Sequence, residues 1–478
     1  MANIKEIRLI NFRRFRDYTI CPNPGINILI GDNEAGKSTI LEAIDLVICG
    51  SVRRVEAIGL DRLLNIEAVA EFKAKEEKRF EDLPLLHVEL YLNAEDFGFK
   101  INGKNNTKRV EYDGIRLVCE PNIDYRAEIE SILSGDASFF PYDYYTIRFS
   151  TFADLDYRSS KKRMRSIFID SSTMNSAYAT ADFVNRMYLR YMENDPKGRA
   201  EYKSEYRAMR VNFNDSILNK LNDCVTEHSY SFGLKKGPSM DFESDLMVYK
   251  DGVEIDNKGT GEQVFIKTDF ALKRAVENCI ILVEEPETHL SPVRLRKLVE
   301  KISDTKNVQL FITTHNSYIC ARLDLRNLLI LQESYRDKPL VLSNLPAETQ
   351  RYFIKTPPAG ITEFVLSRKA ILVEGPSEYM LMDSFYKKCA NGKSPESDEV
   401  AIINIRGLSF KRYLDIAKET SCKVAVITDN DGNWQKNCTE KYKDYIGCDK
   451  IEVFFESDNT KNTFEVVLYK DNSKLCDK

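Results

Sequence analysis

The 478-residue chain is 43% hydrophobic and 30% charged, the make-up of an ordinary soluble globular protein too long for one core, so at least two domains are expected. No apolar run of about 18 residues is present, which excludes a membrane-spanning helix, and the opening Met-Ala-Asn-Ile-Lys-Glu has no signal-like segment, which points to the cytoplasm. A net charge of −5 gives no overall attraction to nucleic acid, so any DNA contact needs a local basic patch or a bound metal. Eleven cysteines run from Cys21 to Cys476 without a C-x-x-C pair, which argues against a zinc cage or disulfide framework and for reduced thiols.

Along the chain, Ile4, Ile7 and Leu9 mark a first strand leading into Asn11-Phe12-Arg13-Arg14-Phe15. The β-branched run Ile26–Ile30 follows, then Gly31-Asp32-Asn33-Glu34-Ala35-Gly36-Lys37-Ser38, then Ile40, Leu41 and Ile44 at helical spacing. This is G-x-x-x-x-G-K-S in its strand–loop–helix context, the P-loop pattern. Its glycines let backbone N–H groups curl around phosphates, aided by the helix N-terminus. Lys37 should reach the β and γ phosphates and the Ser38 hydroxyl should hold Mg²⁺. Gly31, Asn33, Gly36, Lys37, Ser38 and Thr39 are therefore the expected nucleotide-binding residues.

Leu85–Leu92 reads as a further strand, followed by a polar hairpin region through Gly114, and the aromatic run from Phe139 to Tyr145 reads as core. From Phe152 to His228 long stretches lack Gly and Pro, and Phe183, Met187, Tyr188 and Tyr191 recur at helical spacing. We expect a helical insertion there, able to pair with a second copy. The basic run Lys161–Arg165 at its start reads as a solvated face.

Strand–helix alternation resumes at Ile280–Val283, Arg294–Ile302 and Val308–Thr313, which implies a parallel sheet. The first of these strands delivers Glu284 and Glu285 at its carboxyl end, where such sheets place ligand chemistry. Glu284 suits the water shell of Mg²⁺ and Glu285 suits polarising the attacking water. Pro357–Gly360 marks a boundary. Beyond it come strands at Ala370–Val373, Val400–Ile405 and Val424–Thr428 with helices from Ser377 and near Phe410–Lys418. The first and last of these strands end in Glu374 and in Asp429-Asn430-Asp431-Gly432. Neighbouring exits of one parallel sheet would bring Glu374, Asp429 and Asp431 together, a cluster that repels without a cation. Oxygen-only ligands favour Mg²⁺ or Mn²⁺.

The front half resembles the ABC-type ATPase heads of SMC, RecF and Rad50 proteins. Gly31–Ser38 matches Walker A, Ile280–Glu285 matches Walker B with its catalytic glutamate, Glu287–Leu290 matches the D-loop and His315 the switch histidine. Thr260, Gly261 and Gln263 match the signature S-G-x-Q, with Thr260 keeping the hydroxyl. That family offers the signature in trans, so the resemblance implies a dimer with ATP between two heads. No glutamine precedes Gln263, although the family places one between Walker A and the signature. Either another side chain completes the Mg²⁺ shell, or hydrolysis is slow and ATP acts mainly as a clamp.

In the rear half, the order Glu374-Gly375-x-x-Glu378, Arg406-Gly407, Asp429-x-Asp431 resembles the Toprim domain. ATPase followed by Toprim resembles the OLD (overcoming lysogenization defect) nucleases, with relatives in the Gabija and retron-associated systems. The implied fold class is α/β: an ABC-type ATPase head at residues 1–151 and 229–360, a helical, dimerising insertion at 152–228, and a Rossmann-like Toprim parallel sheet at 361–478. By this resemblance Glu374 is a metal ligand and candidate base, Asp429 and Asp431 bind metal, Glu378 serves a second ion, Gly375 and Gly407 line the site, and Glu465 is a weaker candidate. The family's scissile-phosphate lysine lies in a C-terminal stretch that this chain does not contain, so either the chain is truncated or the lysine is absent. Lys441, Lys443, Lys461 and Lys470 are unranked substitutes. Trp434 reads as packing, and His87 and His228 receive no role.

The implied activity is an ATP-regulated, Mg²⁺- or Mn²⁺-dependent DNA endonuclease in antiphage defence. Its expected partners are DNA, a second copy or higher oligomer, and a defence-system protein or nucleoprotein. The alternative is an ATP-gated DNA-binding scaffold whose Toprim domain does not cut.

Overall fold

The computed structural model describes residues 3–93, 100–134, 139–157, 164–170, 183–185, 187–189, 191–192, 195–225, 230–234, 242–273, 279–306, 308–356, 360–407 and 409–477. Residues 161–163 of the basic run, 357–359 of the proline boundary and His228 lie outside them. The chain forms two compact units. The first comprises residues 1–168, 271–287 and 296–478; the second comprises 169–270 and 288–295.

The first unit opens with an antiparallel sheet. Strands β1 (Asn3–Phe12), β2 (Phe15–Ile20), β4 (Leu86–Asn93), β5 (Asn102–Gly103) and β6 (Tyr112–Pro121) lie in the order β2-β1-β4-β6-β5, and β7 (Tyr145–Thr151) also pairs with β6. Alternation in β1 sends Ile7 and Leu9 into the core and Arg8 outward to Asp17, as a half-buried strand requires. A second sheet is parallel through β13 (Leu328–Leu331), β3 (Ile26–Gly31), β12 (Gln309–Thr313) and β11 (Cys279–Glu284), with β8 (Arg165–Asp170) next to β11.

The P-loop helix Lys37–Cys49 packs on strands of both sheets. It therefore buries not only Ile40, Leu41 and Ile44 but also Ala43, Leu46, Val47 and Ile48. Each fully buried aliphatic side chain contributes about 1.5–3 kcal/mol, so a helix enclosed on several sides holds the loop before it firmly. The buried Gln309 amide joins the two sheets, accepting from the Ile4 N–H at 2.8 Å and donating to the Ile4 carbonyl at 2.9 Å. Behind the helix, buried Asp45 pairs with Arg54 at 2.5 Å and accepts from the Ser166 hydroxyl of β8.

That strand is a departure from the expected helical insertion. Residues 152–157 pack on the antiparallel sheet, with the Phe152 and Tyr157 amides bonding to Gly114 and Phe149, and β8 follows instead of a helix. Ser-Ile-Phe-Ile at 166–169 is β-branched and aromatic, and a neighbouring strand exists to pair with it. Helical structure comes later, in the second unit. The helix Pro196–Phe213 starts with Pro196 and an Asp195 cap on Gly198, and aromatic rings of Tyr188, Tyr202 and Tyr206 surround Phe242. The same unit holds the hairpin β9 (Tyr249–Lys250) and β10 (Val253–Glu254) and most of the helix Thr260–Lys273.

The rear of the first unit is a four-stranded, wholly parallel sheet in the order β15-β14-β16-β17, made of β14 (Lys369–Val373), β15 (Val400–Asn404), β16 (Lys423–Ile427) and β17 (Ile451–Phe454). It docks on the ATPase portion through helices Ala347–Lys355 and Ile361–Leu366, whose Phe353 and Phe364 meet the Tyr413 ring edge-on at 5.2 and 5.3 Å.

Candidate functional site

The first site is a cleft of about 870 Å³ around the P-loop, lined by Asn33, Lys37, Ser38 and Thr39 together with Glu285 and His315. Two glycines make the loop possible. Gly36 sits at φ 95°, where a Cβ would come within 2.5 Å of the Phe15 ring, and a Cβ on Gly31 would lie 2.5 Å from the Leu331 carbonyl oxygen. Lys37 Nζ donates to the Gly31 and Asp32 carbonyls, both at 2.9 Å, which holds the ammonium over its own loop. Burial lowers its pKa, while Glu285, Asp32, Glu284 and Glu287 act in the opposite sense.

The Ser38 hydroxyl donates to Glu284 Oε1, which unites the expected Mg²⁺ ligands from loop and Walker B strand. Glu285 follows at φ 42°, held by its N–H to the Thr313 carbonyl at 3.0 Å, and its Oε1 lies 3.7 Å from His315 Nε2. Half-buried Glu287 accepts from the Thr314 hydroxyl at 2.6 Å and from the His315 N–H at 3.0 Å. Its carboxyl is raised by burial, against those hydrogen bonds.

Sequence reasoning gave no role to the arginines that share this cleft. Arg13, Arg14 and Arg62 line it, and Arg13 pairs with Glu42 of the P-loop helix at 2.6 Å. The available signal was the Arg-Arg pair between β1 and β2, where Asn11 and Arg13 take positive φ. Thr260, Gly261 and Gln263 belong to the second unit. There Gln263 donates to the Asp256 and Lys258 carbonyls, and Gly261 packs so closely on the His289 carbonyl that a Cβ would lie 2.2 Å from it.

The second site forms at the carboxyl ends of β14 and β16. Val373 is in register with Ile427 on one side and Asn404 on the other, so Glu374 leaves the sheet beside Thr428 and Asp429. The Gly407 N–H donates to the Glu374 carbonyl at 3.1 Å, and Glu378 Oε2 accepts the Gly375 N–H at 3.1 Å. Asp429 Oδ1 accepts the Phe464 N–H at 2.9 Å, and Asp431 sits at φ 45° with its N–H on the Asn462 carbonyl. Buried Asn430 staples this turn to the loop after β17 through the Glu456, Asp458 and Lys461 carbonyls, a role the sequence did not suggest.

Burial, then Glu374 and Glu378, push the Asp429 carboxyl up to about 7. Glu374 is also raised, by burial first, with Asp431 and Glu378 adding to it. Four carboxylates thus act on one another across two strand exits. Glu374 Oε2 is buried with no hydrogen-bond partner among the protein's atoms, which leaves its lone pairs free for a ligand. Among the described residues no three acidic, histidine or cysteine side chains already stand close enough to enclose a metal ion. The donor chemistry and the orphaned oxygen nevertheless suit a hard divalent cation.

Glu465 hydrogen-bonds Ser377, which places it at the rim of the cluster and lowers its pKa. Of the four lysines, Lys441 is the one whose charge acts on Glu374; Lys461 pairs with Asp471, and Lys470 donates to the Thr460 carbonyl. Trp434 stacks on Phe455 at 5.8 Å, in keeping with packing. His87 lies in β4 and is lowered to about 4 by burial, which keeps it neutral.

Two family models match. One, described as an AAA domain, putative AbiEii toxin, Type IV TA system, covers residues 26–321, more than half of the chain; the other, the Toprim domain of overcoming-lysogenization-defect-like proteins, covers 365–431. The chain belongs to the OLD family of ATPase–Toprim proteins. As an OLD-family protein it joins an ATP-binding ATPase domain to a Toprim domain.

The DNA replication and repair protein RecF of Streptococcus equi subsp. zooepidemicus is 23% identical over 349 residues, 65% of this chain and 91% of that protein. RecF of Stenotrophomonas maltophilia is 47% identical over 47 residues, 10% of this chain and only 13% of the relative's length. Among solved structures, an SMC head bound to the C-winged helix domain of ScpA aligns over 71% of this chain and 99% of its own, at 16% identity and a TM-score of 0.39. The recombination mediator RecF with ATP aligns over 65% and 93%, at 14% identity and a TM-score of 0.34.

Proposed function

We propose that this OLD-family protein is an ATP-regulated, Mg²⁺- or Mn²⁺-dependent DNA endonuclease acting in defence against foreign DNA. The observation that carries the reading is that Glu374 and Asp429 leave adjacent parallel strands, with Asp431 and Glu378 near enough to act on both carboxyls and Glu374 Oε2 buried and unpartnered. Glu374, Asp429, Asp431 and Glu378 would hold the cations. Divalent ions there supply Lewis-acid activation of water and stabilise the leaving oxygen of a phosphodiester. Glu374 is the candidate base, because burial raises its carboxyl above the usual carboxylate range and so makes it a stronger proton acceptor. The DNA target is supported by the RecF relatives, DNA replication and repair proteins by name.

In the front half, Lys37 would reach the β and γ phosphates, Ser38 and Glu284 would hold Mg²⁺, and Glu285 beside His315 would orient the attacking water. Thr260, Gly261 and Gln263 would be donated by a second copy, so the working form is a homodimer or a higher homo-oligomer. A defence-system partner protein or nucleoprotein completes the proposed assembly.

Nicking of supercoiled plasmid with Mg²⁺ or Mn²⁺, with and without ATP, tests the reading. Wild type should cut and Asp429→Ala should not; a wild type that cuts under no condition overturns the nuclease. A second reading, an ATP-gated DNA-binding scaffold with a non-cleaving Toprim domain, is favoured by the open spacing of the acidic cluster among the described residues. It predicts DNA binding that Asp429→Ala leaves intact.

A further inference from the structure

The turn that carries the switch histidine is covalently continuous with a helix that touches the Toprim domain. Glu287 ties Thr314 and His315 to the Walker B exit, and two residues later the short helix Ser317–Arg322 begins, capped by Asn316 and burying Ile319, Cys320 and Ala321. Its first residue, Ser317, meets Thr362 hydroxyl to hydroxyl at 2.5 Å. Thr362 lies in the helix Ile361–Leu366, which starts at the left-handed Gly360, packs against β15, and runs two residues later into β14 and Glu374. A second tie crosses the same junction: the Thr349 hydroxyl donates to Asp415, which also accepts from Tyr445 at 2.6 Å.

We propose that the Ser317–Thr362 contact is the intramolecular coupling through which nucleotide at the P-loop resets the β14 exit bearing Glu374, with Thr362 as a positioning residue. The inference rests on the ATP-regulated reading above. It adds a route inside one chain, independent of how two copies meet. Both hydroxyls are half-buried at the ends of packed helices, so a displacement of the His315 turn is passed on by rigid elements.

Hydrogen exchange of the full chain, with and without ATP, is the test. ATP should slow exchange across residues 31–39 in wild type, Ser317→Ala and Thr362→Val alike. In wild type it should also change exchange across residues 369–378 by about fivefold or more, the lower range of ordinary coupling. Either variant should reduce that second change to below about twofold, while Tyr335→Phe, which alters a different contact of the junction with Ser421, should keep it. An ATP response at 369–378 that persists in both Ser317→Ala and Thr362→Val, or is missing from wild type whose P-loop is protected, overturns the coupling. Failure of ATP to protect residues 31–39 overturns the nucleotide reading itself. Absence of plasmid cleavage overturns the nuclease reading alone, because the exchange readout needs no cutting.

Discussion

Replacing Asp429 by asparagine removes one negative charge from the acidic cluster while keeping the Oδ1 that accepts the Phe464 amide. The Asp429 carboxyl is lifted from 3.8 to about 7. A displacement of about three pH units, at about 1.4 kcal/mol each, would give roughly 4 kcal/mol. The side chain is only half-buried, and solvent screening brings this down to about 1–2 kcal/mol. A carboxyl whose folded pKa exceeds its unfolded value holds its proton more tightly when folded. In EDTA the contribution of this group to stability is therefore fully present below about pH 4 and is lost as pH rises through about 7. The asparagine side chain carries no charge to repel its neighbours, so in EDTA at pH 8 the Asp429→Asn variant should be more stable than wild type by about 1–2 kcal/mol, with the gap shrinking toward pH 5. Trp434 is the single tryptophan and stacks on Phe455 in this domain, so its fluorescence during urea titration reports the relevant unfolding. Mn²⁺ at a hundred times its Kd should then stabilise wild type by about 2.7 kcal/mol, most of which the variant forgoes. A variant no more stable than wild type at pH 8, or an equal Mn²⁺ shift in both, would refute a shared cation site.

Lys37→Met should weaken ATP binding about 10- to 150-fold, the worth of one hydrogen bond between charged groups, in a fluorescent-nucleotide titration; unchanged affinity would remove Lys37 from the phosphate site. Glu285→Gln should slow steady-state ATP hydrolysis about 10²- to 10⁴-fold with ATP affinity preserved, and a loss of affinity instead would assign Glu285 to binding. Asp45→Ala strands Arg54 and the Ser166 hydroxyl behind the P-loop helix; because Arg54 is 31% exposed, the cost should be about 2–3 kcal/mol in urea unfolding, below the range for fully buried pairs. A loss under about 1 kcal/mol would mean that the pair is not structural.

Much of the site could be read before folding. Walker A, Walker B and the E-G-x-x-E and D-x-D turns are local patterns, because each places its chemistry where a strand ends and the backbone turns, and turn chemistry is written in adjacent residues. Strand β8 was not legible. Its Ser-Ile-Phe-Ile run sits in a helix-like neighbourhood, and only the edge of β11, more than a hundred residues away, makes pairing the better outcome. The antiparallel partners of β1 were likewise hidden, since register depends on residues far along the chain.

By itself the amino-acid order determined the side chains present: a P-loop pattern, a hydroxyl and a carboxylate suited to a hard cation, and acidic strand exits. Tertiary structure decided which of these meet. It set Val373 in register with Ile427, so that Glu374 and Asp429 leave the sheet together, and it placed Lys441 where its charge acts on Glu374. It also brought Ser317 to Thr362, which nothing in either local sequence announces. The physical reason is that hydrogen-bonding register and side-chain packing are long-range. A residue's type fixes what it can bind, whereas its neighbours across the sheet fix what it binds with.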